Sequence, residues 1–226
     1  TVAMAIGTNP GGSTLGGTTT VNAVAGVATF STLSLNRSGV GYTLSASSGG
    51  LTSAISAGFT VNPGAASALA ITTMPASGQS GVLLSPQPAI RLVDALGNTV
   101  PTTGTIVTAA IASGTGTLGG TLTAATASGV ATFANLSLTG TAGNFSLNFS
   151  AAPLTSVTSG AIALTAGAPA ALAFQVQPSN VASGASIAPA VPVRVVDDAG
   201  NLVVSVTNGV PLSLASSPAG GVLGGT

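Results

Sequence analysis

Charged residues are almost absent from this sequence. Of 226 residues, six carry a charge at neutral pH, namely three arginines and three aspartates, and histidine, cysteine and tryptophan do not occur. Lysine and glutamate are missing as well. A general base or an activated nucleophile is ordinarily a histidine, lysine, cysteine or one of two facing carboxylates. The adjacent Asp197 and Asp198 are expected to diverge at the end of a strand. We therefore expect no catalytic residues, no cofactor and no enzymatic activity.

The same scarcity excludes other classes of protein. Without a basic patch, binding to nucleic acid lacks its main source of affinity, the neutralisation of phosphates. Serine, threonine and glycine interrupt the apolar residues before any run reaches the roughly 18 to 20 that a spanning helix needs. The valine, leucine, isoleucine and phenylalanine content is too high for a disordered chain. We expect a folded protein with a neutral surface and no membrane-spanning segment.

The sequence repeats itself with a spacing of about one hundred residues. The motif GVATF at 26–30 recurs at 129–133, and the motif R-x-V-D-x-x-G-N at 91–98 recurs at 194–201, in both cases after a shift of 103 (129 − 26 and 194 − 91). A fixed period of this kind indicates an array of similar domains. The period becomes 105 near the end, where Leu223 corresponds to Leu118.

The repeat predicts where the domains lie. Residues 1–18 align on residues 209–226, so the chain is expected to start and stop within a domain. We predict the C-terminal part of one repeat over 1–66, a complete repeat over 67–167, and the N-terminal part of another over 168–226. The incomplete parts would be completed by a continuation of the same polypeptide or by a neighbouring copy, and the copied stretch favours continuation.

The sequence of the complete repeat predicts a series of short strands, each bounded by glycine, proline, asparagine or serine. The predicted strands are 68–72, 88–94, 105–111, 121–125, 130–133, 144–150 and 156–164. Alternation is clearest where Phe145, Leu147 and Phe149 are separated by polar residues. Seven short strands in about one hundred residues favour an all-β fold of tandem immunoglobulin-like antiparallel β-sandwich repeats, each of about 103–105 residues.

One turn motif has residues that could bind a metal ion. The motif consists of Asp94, Gly97 and Asn98 in one repeat and Asp197, Gly200 and Asn201 in the next. Calcium takes six to eight oxygen ligands, several of them anionic, and each turn offers one or two carboxylates. In a turn, aspartate accepts backbone N–H bonds, and glycine and asparagine tolerate a positive φ. We interpret these residues as structural, with no metal site and no bound calcium.

Four asparagines satisfy the N-x-S/T rule for glycosylation, namely Asn36, Asn135, Asn144 and Asn148. Such matches arise by chance in a chain rich in serine, threonine and asparagine. They are kept as possible glycosylation sites, and sugars there would help to keep a neutral surface soluble.

A family resemblance rests on three motifs. These are V-D-x-x-G-N-x-V at 93–100, GVATF at 129–133 and G-x-F-x-L at 143–147. Together they resemble the bacterial immunoglobulin-like repeats of invasin- and intimin-type adhesins and of other giant surface or fibre proteins. The resemblance implies an extracellular or cell-surface module that forms arrays, with a role in reach or assembly.

The leading functional hypothesis is a structural segment of an extracellular filament, sheath or stalk, with copies of itself as partners through end-to-end and lateral contacts. The alternative is the stalk of a cell-surface adhesin whose receptor- or sugar-binding site lies elsewhere in the chain. An accessory domain of a phage or a secreted enzyme also remains open. Sugar sites need exposed aromatic residues, and the single tyrosine, Tyr42, aligns with Phe145 and is expected in the core or at a strand corner.

Overall fold

The computed structural model describes residues 1–207, 209–217 and 219–224. The described residues form strands, turns and loops and contain no helix, so the predicted all-β class is confirmed. The described part of the chain therefore has no helix that is long and apolar enough to cross a membrane. The chain forms two compact units, Thr1–Thr165 and Ala166–Thr226. The first unit contains the predicted segment 1–66 and nearly all of the predicted segment 67–167.

The first segment, residues 1–66, contains eight short strands. They are β1 (Val2–Ile6), β2 (Leu15–Gly16), β3 (Thr20–Val21), β4 (Ser34–Leu35), β5 (Gly39–Tyr42), β6 (Leu44–Ser47), β7 (Ala54–Ile55) and β8 (Phe59–Val61). Four of them form an antiparallel sheet in the order β3-β1-β6-β7, and the others form the antiparallel pairs β2-β4 and β5-β8.

The middle segment, residues 67–165, contains eleven strands. They are β9 (Ala68–Thr73), β10 (Ser77–Gln79), β11 (Ala89–Val93), β12 (Ile106–Ser113), β13 (Gly116–Gly119), β14 (Thr123–Ala127), β15 (Val130–Thr132), β16 (Ser137–Gly140), β17 (Gly143–Ser150), β18 (Val157–Thr158) and β19 (Ile162–Thr165). One sheet runs β10-β19-β17-β12-β14-β15-β11-β9, with β18 beside β17. Within it β10 and β19 are parallel and the other pairs antiparallel.

The two arms of this sheet enclose one hydrophobic core. Strand β14 joins the arms, because its first residues pair with β12 and its last two, Thr126 and Ala127, pair with β15. Ile90 and Leu92 come from one arm and Val107 and Leu147 from the other, and all four belong to the same buried cluster. Removing apolar side chains from water in this way is the main stabilising contribution available to a chain without disulfides.

Strand β17 shows how the sequence selects this arrangement. Phe145, Leu147 and Phe149 are buried, whereas the residues between them are at least partly exposed. The ring of Phe149 packs against that of Phe133 with their centroids 5.5 Å apart. The strand period of two therefore places each aromatic ring of β17 in the core.

The second unit contains one antiparallel pair, β20 (Ala171–Phe174) and β21 (Val193–Val196), among its described residues. At the end of β21 the chain turns at Asp197, and Asn201 follows four residues later. This turn repeats the one that follows β11 in the middle segment.

Candidate functional site

The turn after β11 is organised by the carboxylate of Asp94. Its Oδ1 atom accepts hydrogen bonds from the backbone amides of Leu96, at 2.9 Å, and Asn98, at 2.8 Å. Gly97 lies between them with a φ of 80°, a conformation that a residue with a side chain rarely adopts. The sequence therefore closes this turn through an aspartate at its start and a glycine at its left-handed position.

The second oxygen of Asp94 holds the connection between the first and middle segments. Asp94 Oδ2 accepts the backbone amide of Gly64, at 2.8 Å, and the Nδ2 of Asn98, at 2.9 Å. Gly64 belongs to the linker 62–66, thirty residues earlier in the chain. The carboxylate thus accepts four N–H donors and fixes the linker against the turn.

Asn98 connects this turn to the first segment. Its Oδ1 atom accepts the backbone amide of Ser38 at 3.0 Å, and its Nδ2 atom donates to the carbonyl oxygen of Asn36 at 3.2 Å. Asn98 is 8% exposed, so these bonds are largely shielded from water. Arg37 adds a longer bond of 3.4 Å from Nη1 to the carbonyl oxygen of Leu96.

Two buried groups hold the loop that Asn98 contacts. The Oγ atom of Ser13 accepts the backbone amides of Asn36, at 2.9 Å, and Arg37, at 3.2 Å. The hydroxyl of Tyr42 donates to the carbonyl oxygen of Arg37 at 2.9 Å, and its side chain is fully buried. Tyr42 therefore lies in the core, and its hydroxyl fixes the chain five residues upstream. Residues 36–38 are therefore held by hydrogen bonds within the first segment at the point where they contact Asn98.

These hydrogen bonds also set the acidity of Asp94. The Asn98 side chain, followed by the amides of Gly64, Asn98 and Leu96, lowers the pKa of Asp94 from 3.8 to about 2 against the opposing effect of burial. Donors aimed at a carboxylate stabilise its charged form. Asp94 is therefore ionised wherever the repeat is folded at ordinary pH.

The second unit repeats the same turn. Asp197 Oδ1 accepts the amides of Ala199 and Asn201, and its Oδ2 accepts the amide of Gly167, at 2.6 Å, and Asn201 Nδ2, at 2.9 Å. Burial opposes ionisation of Asp197, but the bonds from Asn201, Gly167 and Ala199 outweigh it and lower its pKa. Gly200 has a φ of 79°, and the neighbouring Asp198 is exposed.

The other residues singled out in the sequence lie in ordinary structural positions. Asn36 Oδ1 accepts the backbone amide of Thr14, Asn135 Oδ1 accepts that of Thr121, and Asn148 Nδ2 donates to Thr158 Oγ1. Asn144 is exposed on β17. Glycosylation at the four asparagines stays a prediction. Arg91 donates to Thr99 Oγ1 at 2.9 Å, and Arg194 is exposed on β21.

The sequence predicted the turn, but it did not predict that the turn also binds the linker and the first segment. We expected Asn98 to suit the turn because asparagine tolerates a positive φ. The φ of Asn98 is not positive, and the residue stabilises the turn through the hydrogen bonds of its side chain. The partners Asn36, Ser38 and Gly64 all contribute main-chain groups, which no residue type identifies in the sequence. Within the described residues, no three histidine, cysteine, aspartate or glutamate side chains form a group that could hold a metal ion.

Comparison with known proteins does not assign this chain to a family. No protein-family model and no curated protein matches this chain. A surface-layer protein is among the similar structures. The structure of surface layer protein SbsC, domains 4–9, shares 20% sequence identity with a TM-score of 0.31, over 82% of this chain and 28% of that one. The chain thus spans just over a quarter of that structure, and a likeness of this size supports no conclusion about function.

Proposed function

We propose that this chain is a structural segment of an extracellular repeat protein, in which immunoglobulin-like β-sandwich domains are joined end to end into a filament, sheath or stalk. The observation that carries the proposal is the junction formed by Asp94 and Asn98 with Gly64, Asn36 and Ser38. A protein whose role is mechanical needs fixed orientations between its domains, and this junction provides one.

The junction restrains the linker and the adjoining loop separately. Asp94 binds the linker at Gly64, and Asn98 binds residues 36–38, which belong to the body of the first segment. A hinge at the linker would have to break the bonds at Ser38 and Asn36, each worth about 1 kcal/mol. Because one buried asparagine makes both bonds, they are lost together.

The surface suits a material that packs against copies of itself. Six charges on 226 residues leave little electrostatic repulsion between neighbouring copies. Three arginines also give trypsin only three sites, which favours persistence outside a cell. The stalk of a cell-surface adhesin would need the same rigid junction and the same neutral surface. We therefore keep an adhesin stalk as the alternative function.

The rigidity of the junction can be measured directly, because the chain has no cysteine of its own. Spin labels on Ser47→Cys and Thr123→Cys, both at exposed positions of the two segments, report the distance between them. We expect a single narrow distribution, which broadens in Asn98→Ala and stays narrow in Asn148→Ala, a control that removes a side-chain bond within the middle segment. A distribution already broad in the unsubstituted chain would contradict a fixed junction.

The extracellular role is tested on native material. Antibodies raised against this chain should label filaments, sheaths or threads at the surface of the source cells in negatively stained preparations. Continuous filaments favour assembly, and isolated threads favour a stalk. Label confined to the cell interior would reject the proposal.

A further inference from the structure

A strand from the start of the middle segment lies beside the last strand of that segment and runs in the same direction. Strands β10 and β19 pair in parallel over residues 77–79 and 163–165, whereas the other pairs of the sheet are antiparallel. Because both strands run the same way, the chain enters β10 at one end of the pair and leaves β19 at the other.

Hydrogen bonds extend this pair beyond the residues that are directly paired. The backbone amide of Ala163 donates to the carbonyl oxygen of Ala76, and that of Ser80 donates to the carbonyl oxygen of Thr165, both at 3.0 Å. The Oγ1 atom of Thr165 also donates to the carbonyl oxygen of Gly78 at 3.2 Å. Strand β10 is thus bonded to β19 along its whole length.

The hydrophobic core covers one face of this pair. A Cβ atom at Gly78 would lie 3.1 Å from Leu84 Cδ2 and 3.8 Å from Leu164 Cδ1, so both leucine side chains lie against the backbone of β10. Leu84 is 2% exposed and Leu164 is 3% exposed. The two side chains exclude water from this face, and a backbone hydrogen bond is stronger where water is excluded.

Tension along the chain loads this pair in shear. A pull on the chain before β10 draws that strand backwards, and a pull on the chain after β19 draws that strand forwards. The two strands are therefore drawn past each other, across the direction of their hydrogen bonds, so that the bonds share the load. We propose that the parallel pair of β10 and β19 is a mechanical clamp, which resists the unfolding of the middle segment under tension along the chain.

The clamp also keeps tension away from the rest of the middle segment. Residues 81–161 lie between the two strands in the chain, so they carry load only after β10 and β19 have separated. A second parallel contact resists the same pull at the start of β9. There the amide of Leu69 donates to the carbonyl oxygen of Thr155, and the amide of Thr155 donates to that of Ser67, both at 2.9 Å.

The inference deepens the proposed function and rests on it only for its purpose, since a filament or a stalk is pulled along its length. The clamp itself is a property of the middle segment, and its strength is measured on isolated chains. A weak clamp would leave the labelling of filaments or threads at the cell surface unaffected. Conversely, label confined to the cell interior would leave the strength of the clamp unaffected.

The direction of pulling tests the clamp. Single full-length chains are stretched between two engineered cysteines, since the chain has no cysteine of its own. Ala76→Cys with Ala168→Cys loads the pair in shear, whereas Gln79→Cys with Ala168→Cys pulls at one end of the pair and peels it open. All three positions are exposed. Because at least two backbone bonds share the load in shear, the unfolding force should be about twofold or more higher than in peeling.

A proline substitution shows which bonds bear the load. Ala163→Pro removes the amide that donates to the Ala76 carbonyl, so the shear force should fall towards the peeling force. The matched control is Ala161→Pro, at an exposed position two residues earlier whose amide donates to no group of the described chain, and it should keep the shear force. Equal forces in the two directions, or a shear force unchanged by Ala163→Pro, would overturn the proposal. The comparison of directions keeps every bond of the pair, so it decides even where Ala163→Pro does not fold.

Discussion

The side-chain oxygen of Asn98 accepts a hydrogen bond from the backbone amide of Ser38, which lies sixty residues earlier in the chain. The same carboxamide donates to the carbonyl of Asn36 and to the carboxylate of Asp94. One buried side chain therefore joins a turn of the middle segment to a loop of the first.

Replacing Asn98 by alanine should lower the free energy of unfolding by about 1 to 3 kcal/mol, because it leaves the Ser38 amide and the Asn36 carbonyl without this partner. The chain has one tyrosine, Tyr42, and no tryptophan, so tyrosine fluorescence during urea unfolding reports on the first segment. The control Asn148→Ala should change that transition by less than about 0.5 kcal/mol. Equal changes in the free energy of unfolding for the two substitutions would show that the Asn98 hydrogen bonds do not stabilise the junction.

Stability should be constant from about pH 5 to pH 8 and should fall as the pH is lowered from about 4 towards 2. The pKa of Asp94 is about 2 in the folded chain against an ordinary value of 3.8, so its contribution is complete above 3.8 and is lost as the folded carboxylate becomes protonated. Asp197, whose pKa is also lowered, acts in the same direction.

Thermal unfolding across this pH range checks the expectation. Asp94→Asn should be less stable at neutral pH, and its stability should fall less in acid than that of the unsubstituted chain. Asp198→Asn, at an exposed position, is the matched control and should leave the acid decline in place. A decline that begins near neutral pH would contradict this assignment.

Tyr42→Phe should cost about 1 kcal/mol, since it removes the hydrogen bond to the Arg37 carbonyl and keeps the ring. The corresponding residue of the middle segment is Phe145, which shows that a ring without a hydroxyl fits this position of the repeat. Circular dichroism during urea unfolding measures the change, because the substitution removes the only tyrosine. A loss above about 3 kcal/mol would mean that the ring itself repacks.

Gly120→Ala should destabilise the middle segment by about 2 to 4 kcal/mol. Gly120 has a φ of 90°, and a Cβ atom there would overlap the carbonyl oxygen of Asn135. Gly160→Ala is the control, because a Cβ atom at Gly160 meets nothing within 4 Å. Urea unfolding of both variants gives the comparison, and similar midpoints would show that the turn at Gly120 can relax.

Alternation predicted the parts of the fold in which strands are long and apolar. Strand β17 follows the predicted 144–150 within one residue, and β9 follows 68–72 equally closely. Strands β10 and β13 were not predicted, because their sequences, SGQ and GTLG, are short and have no alternation of apolar and polar residues. The predicted strand 156–164 is interrupted at Ser159, whose side chain accepts the amide of Leu147 in place of a backbone carbonyl.

The junction could be predicted only in part, for a different reason. The motif of Asp94, Gly97 and Asn98 identifies a turn, since each residue type suits a turn position. Which loop the turn contacts depends on the path of the linker through Gly64, and that path is determined by the packing of two segments. No local pattern in 36–38 marks those residues as partners.

Outside their own turn, the side chains of Asp94 and Asn98 form hydrogen bonds with the Gly64 amide, the Ser38 amide and the Asn36 carbonyl. All three are main-chain groups. Main-chain groups are the same whatever side chains a neighbouring domain carries. In the tandem array that we propose, a segment with this turn can therefore follow any segment of similar backbone. Gene duplication, deletion or recombination can then change the number and order of segments while preserving their connections.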